Sequence, residues 1–138
     1  MDEGRGKADK PMDLLERLNS HYGSSYQPRG TLTIKKDKLF EYTGPDTDLN
    51  TYWMGLHLAN ADLSLTIEGA QRLGITASEN VLVIKKAEAD RYYGGEDLEG
   101  HLGGGFTILK TRDLVVGPGL LEDGRVKNIL PKSRKTRR

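Results

Sequence analysis

The segment Val116-Gly-Pro-Gly-Leu-Leu-Glu-Asp-Gly-Arg-Val-Lys-Asn-Ile-Leu-Pro-Lys132 decides how this chain folds. Asp123-Gly124 places two residues tolerant of positive φ between an apolar pair, Leu120-Leu121, and the strand-like run Arg125–Ile129, the best hairpin signal in the sequence. Alternation along the second strand puts Arg125 and Lys127 on one face and turns Val126 inward. Gly117-Pro118-Gly119 interrupts the first. Pro118 removes one ladder donor and the glycines permit a bulge, so this stretch reads either as the corner of a small barrel or as a close approach of backbone to a ligand phosphate.

Working outward, Gly105–Leu109 and Leu114–Gly117 read as further short strands, and Val81-Leu-Val-Ile84 is a continuous aliphatic run of the kind found in a buried strand. Ile67, Ala70 and Leu73 share one face of a short helix that Thr66 caps and Gly74 ends, and Lys86–Tyr93 forms another, closed by Gly94-Gly95. On the N-terminal side, Pro11 opens a helix whose Leu14, Leu15, Leu18 and Tyr22 recur at helical spacing up to Gly23. Thr31–Lys35 and Lys38–Tyr42 form a hairpin across Lys36-Asp37, although neither turn residue is glycine. The expected fold is α+β, a small mixed β pseudobarrel with short helices, preceded by a helix and β-hairpin appendage. The divisions are a disordered leader at 1–10, the appendage at 11–50, ending in the turn-rich Gly44–Asn50, a main module at 51–131 whose first strand lies around Trp53–Ala59, and a basic tail at 132–138.

Charge is sorted along the chain. With 21 Lys and Arg against 20 Asp and Glu the balance is close to neutral, yet from Lys110 onward nine basic residues face three acidic ones, a net of +6 that leaves −5 on residues 1–109. The last seven residues, Lys132-Ser-Arg-Lys-Thr-Arg-Arg138, carry five positive charges and no negative one. Such an end suits a polyanion, RNA or DNA above all, or serves simply as a solvated tail. The 138 residues are enough for one domain with a real core, and no apolar run approaches the roughly 18 residues of a membrane span. No secretory h-region follows Met1, so the expected setting is cytoplasmic, without a membrane partner.

Most chemistry lacks the residues it would need. There is no cysteine, which removes thiol nucleophiles, disulfides and thiolate metal sites. His21, His57 and His101 have no paired spacing, so no metal site is expected. Gly103-Gly-Gly105 leads into a strand without the Gly-Lys-Ser/Thr of a phosphate loop, and Glu96, Asp97 and Glu99 lack the alternating ligands of a calcium loop. No nucleophile signature is visible, so neither catalysis nor a cofactor is expected.

A set of local motifs then falls into an order found elsewhere: Gly55-Leu56-His57, Leu65-Thr-Ile-Glu-Gly-Ala-Gln-Arg-Leu-Gly74, Ala77-Ser-Glu-Asn-Val81, Gly94-Gly-Glu-Asp-Leu98, Gly105-Phe-Thr-Ile-Leu-Lys110 and the closing segment to Lys132. This order resembles the PUA-like RNA-binding region at the C-terminus of Sun/Fmu-type RNA cytosine-5 methyltransferases. Their catalytic domain has no counterpart in these residues, and covalent cytosine chemistry needs a cysteine nucleophile. Pro118 departs from the small or aliphatic residue common between the two late glycines of those proteins. The resemblance implies a six-stranded pseudobarrel crossed by short helices and a face for structured RNA. Carried onto this chain, that face involves Arg72 and Gly74, Lys110 and Arg112, Arg125 and Lys127, and Lys132; the charge of the tail adds Arg134, Lys135, Arg137 and Arg138. Tyr92, Tyr93 and Phe106 either stack on unpaired bases or belong to the core. The expected role is non-catalytic binding of rRNA or tRNA in ribosome biogenesis, RNA modification or translation. The alternative is a module docking on a ribosomal protein or an RNA-modifying enzyme.

Overall fold

The computed structural model describes residues 10–43 and 55–131; the leader up to residue 9, the Gly44–Asn50 turn, Trp53 and the tail cations Lys132, Arg134, Lys135, Arg137 and Arg138 lie outside the described residues. Elements follow in the order α1 (Pro11–Tyr22), β1 (Thr31–Lys35), β2 (Lys38–Tyr42), β3 (Leu56–Asn60), α2 (Ile67–Leu73), β4 (Val81–Val83), α3 (Lys86–Tyr93), β5 (Leu98–Glu99), β6 (Gly105–Lys110), β7 (Val115–Glu122) and β8 (Arg125–Lys127). The architecture is α+β. Where the resemblance implied six strands in one pseudobarrel, the described residues hold eight in two sheets, β1-β2-β3 and β4-β6-β7-β8-β5.

Helix boundaries follow their punctuation. Pro11 sits in the first turn of α1, and Gly23 ends it at φ 59 with its N–H on the Asn19 carbonyl. The Thr66 hydroxyl accepts the Gly69 N–H at 3.0 Å, capping α2. Both hairpin turns bend with positive φ, Asp123 and Gly124 at 56° and 77° and Lys36 and Asp37 at 51° and 65°. The Lys36-Asp37 turn is therefore left-handed without a glycine, which costs about 1 kcal/mol per residue. Lys36→Asn combined with Asp37→Gly is expected to raise the unfolding free energy by about 1 kcal/mol, read from the urea midpoint at unchanged slope.

One strand organises the core. Successive residues of β6 face opposite sides of the sheet, so Ile108 enters one apolar cluster and Leu109 the other. On the first side Leu14, Leu18 and Tyr22 of α1 pack with Leu39, Leu58 and Leu73. On the second, Ile84, Ala89 and Tyr92 pack with Leu98, Val116, Val126 and Leu130. The helix, the first hairpin and the later strands thus share buried surface. Backbone bonds tie them as well: the Ser78 and Glu79 N–H groups both donate to the Tyr22 carbonyl at 3.0 Å, satisfying the end of α1.

Three local readings change. Val81–Ile84 is not a buried central strand: β4 is the parallel edge beside β6, and Val83 is 67% exposed, because only one neighbour is present to cover it. Gly117-Pro118-Gly119 does not divide two strands, since β7 runs through it and the register slips instead between Leu109 and Lys110. Pro118 is tolerated because its carbonyl accepts the Tyr92 hydroxyl at 2.8 Å; its missing N–H lies on that same side, away from β6, and β8 pairs only with residues 120–122. Finally, Leu98-Glu99, inside the acidic stretch, forms a two-residue strand on β8.

Candidate nucleic-acid interface

The described cations among those singled out in the sequence fall into three groups. Arg125 and Lys127 share a face of β8, and Val126 between them is fully buried. Each has a carboxylate beside it: Arg125 Nε lies 4.0 Å from Asp97 and Lys127 Nζ 3.8 Å from Glu122. At these distances and exposures the pairs contribute little to stability, but the two carboxylates oppose the field that the hairpin presents to an anion. Arg125 Nε is moreover covered and makes no hydrogen bond.

The second group surrounds the end of α2. Lys110 donates from Nζ to the Gly74 carbonyl at 2.7 Å, so its charge caps the helix C-terminus. Gly74 is buried, and a Cβ there would come within 2.8 Å of Val115. Arg72 donates to the Glu68 carbonyl at 3.2 Å and lines a cleft of about 610 Å³ with Tyr26, Arg29 and Glu41. Inside it, the buried Glu41 carboxylate accepts the Tyr26 hydroxyl at 2.6 Å and the Arg29 and Gly30 N–H groups at 2.7 and 2.9 Å. Burial and that bond push the Tyr26 hydroxyl up to about 12. A carboxylate so fully satisfied pins the 26–30 loop to β2.

Arg112 is the third. It stands exposed on the turn between β6 and β7 and lines a separate cleft of about 650 Å³. Val83, Ile84, Ala89, Tyr93, Leu114 and Val116 give this cleft apolar walls, while Lys85, Lys86 and Arg112 stand at it with Asp90 and Asp113. Lys85, Lys86 and Arg112 are all exposed. The Lys85-Lys86 pair was missed in the sequence; its one signal is a basic dipeptide placed directly between a strand and a helix. The chain leaves the described residues at Pro131, just after Leu130, which packs with the cleft residues Ile84, Ala89 and Val116. The five cations of residues 132–138 follow Pro131 in the sequence.

The aromatic residues divide. Tyr92 is fully buried, and burial raises its hydroxyl pKa, so it remains a donor to Pro118. Phe106 is partly buried against the first cluster. Tyr93 is half-buried and lines the Arg112 cleft, its hydroxyl reaching the Val116 carbonyl at 3.4 Å.

The histidines take separate structural positions, and among the described residues no group of three His, Cys, Asp or Glu side chains could hold a metal. His101 Nε2 pairs with Glu88 at 2.7 Å, and the Lys85 N–H donates to the other Glu88 oxygen at 3.1 Å, which fixes the first turn of α3. Partial burial opposes ionisation of Glu88, but these bonds and the charges of His101 and Arg91 outweigh it and hold its carboxyl below the usual range. A depressed carboxylate stabilises the fold above its unfolded value, and that contribution is lost as pH falls through the folded value. Glu88→Gln should therefore lower thermal stability at pH 7 and flatten the acid limb below about pH 4.5, measured by unfolding scans from pH 7 to pH 3.

Comparison with known proteins adds one match. Residues 79–135 fit the family model described as the methyltransferase RsmF PUA domain. This segment carries a PUA-like domain. No curated protein matches the chain. The PUA domain takes in β4 through β8 and α3, both carboxylate-paired hairpin cations and the whole Arg112 cleft. Arg72 and Gly74 precede it. The match covers no catalytic domain, and no helix among the described residues is long and apolar enough to cross a membrane.

Proposed function

We propose that this protein binds structured RNA, an rRNA or a tRNA, as a cytoplasmic non-catalytic module in RNA modification, ribosome assembly or translation. The PUA domain supports the ligand class, and the single observation that carries the reading is the gathering of Lys85, Lys86 and Arg112 at the rim of one cleft, to which the sequence adds the five cations after Pro131. Affinity comes from these side chains displacing counterions from phosphates. The hairpin pair Arg125 and Lys127 adds less, because Asp97 and Glu122 already oppose their charge. Gly74 and Lys110 hold the end of α2 against the sheet, and Arg72, bonded back to the Glu68 carbonyl, stands at the separate Tyr26–Glu41 cleft.

Fluorescence anisotropy against a folded tRNA and an rRNA stem-loop, at several salt concentrations, tests this. Log affinity should fall linearly with log salt, and replacing Lys85, Lys86 and Arg112 by Glu should flatten the slope by about 2, at about 0.7 per phosphate contact. Binding that ignores salt, or no binding, would overturn the proposal.

A further inference from the structure

The cleft between the end of β4, the first turns of α3 and the β6–β7 turn has features that phosphate binding does not use. Val83 and Leu114 are 67% and 66% exposed, among the most exposed large apolar side chains of the described residues, and both line it. A polyanion lying along a surface has no use for apolar walls. Asp90 and Asp113 stand among the three rim cations and leave a net charge of +1 inside the cleft, which one phosphate would neutralise. That balance suits one nucleotide.

We infer that this cleft takes a single unpaired nucleobase extruded from a folded RNA, with the attached phosphate on Lys85, Lys86 or Arg112. The inference rests on the RNA-binding reading above. A base is flat and apolar on both faces, so it matches walls made by Val83, Leu114 and the Tyr93 ring, and stacking of this kind tolerates any base. Its edge carries amine donors in three of the four bases, for which the Asp90 and Asp113 carboxylates are acceptors. The volume of about 650 Å³ lies within the range of small-molecule sites. Charge complementarity favours a nucleotide over an apolar peptide, which would gain nothing from the three cations at the rim.

The test uses the full chain and three RNA stems of identical sequence: fully paired, with one bulged adenosine, and with an abasic residue at the bulge. The bulged adenosine should bind about tenfold more tightly than the other two. In a chain carrying Val83→Ser and Leu114→Ser, both exposed and so tolerated by the fold, that advantage should fall to about twofold or less while affinity for the paired stem stays unchanged. Equal affinity for all three stems would overturn the inference alone and leave the cleft to an apolar protein segment. A tenfold advantage that survives the double substitution would also overturn it, by placing the base elsewhere. Failure to bind any stem would instead sink the RNA reading on which it depends.

Discussion

Ending the chain at Pro131 is expected to weaken binding of structured RNA by on the order of 100-fold near 0.1 M salt. Residues 132–138 contribute five positive charges and no negative one, and each phosphate they neutralise adds about 0.7 to the slope of log affinity against log salt. Three such contacts give a slope of about 2, hence roughly 100-fold at 0.1 M relative to 1 M. The fold should be unaffected, because Leu130, the last core residue, remains in place with Ile84, Ala89 and Val116. Parallel salt titrations of the two chains, with thermal unfolding as the control, measure both quantities. If the cleft instead docks on a protein, the truncated chain keeps its partner and the salt slopes of the two chains coincide.

Gly69→Ala is expected to reverse the usual sign of its effect. In an exposed helix interior that change stabilises by about 1 kcal/mol. Here α2 crosses β3 so closely that a Cβ at residue 69 would overlap the Leu58 carbonyl oxygen, which itself accepts the Thr66 N–H at 3.0 Å. Neither side can yield cheaply. Leu58 is a core residue, and the β2–β3 register already slips opposite it, between Leu39 and Phe40. Overpacking against backbone should cost about 3 kcal/mol and outweigh the gain in propensity. Urea unfolding of Gly69→Ala beside the parent chain measures the difference. A stabilised variant would mean that α2 stands farther from β3 than described.

These two sites differ in how plainly the sequence announces them. Helix ends were legible because each carries its own punctuation: Pro11 and Gly23 for α1, Thr66 for α2, Gly94 for α3. The Asp123-Gly124 hairpin was legible for the same reason, and the inward turn of Val126 followed from alternation. Edge position was not. An aliphatic run such as Val81–Ile84 reads the same whether one strand or two flank it, so the exposure of Val83 depends on a pairing made with residues 108–110. Leu98-Glu99 was hidden because two residues are too few to establish a period. Pro118 stays inside β7 because β8 pairs only with residues 120–122 and so asks for no donor there, while Tyr92, 26 residues earlier, meets its carbonyl.

The candidate site shows the same division. A basic end and a basic hairpin can be read from composition, but whether a cation is available to a ligand depends on what folds beside it. Asp97 stands next to Arg125 across the β5–β8 pairing, and Lys110 is drawn onto the end of α2 by a carbonyl 36 residues away. Glu122 could have been anticipated, since the Asp123-Gly124 turn places it across from Arg125 and close to Lys127. Lys85, Lys86 and Arg112 converge only because parallel pairing brings the end of β4 beside the end of β6.

The central claim is that cations around the Arg112 cleft, with the segment after Pro131, form the surface on which RNA lies. Amide chemical-shift mapping of the isotopically labelled full chain, titrated with a folded stem-loop RNA, tests it most directly. The account predicts the largest shifts at residues 83–86, 111–114 and 132–138, with small ones at Arg125 and Lys127. Shifts concentrated on the β7–β8 hairpin or around Arg72, with residues 83–86 and 111–114 unmoved, would contradict it.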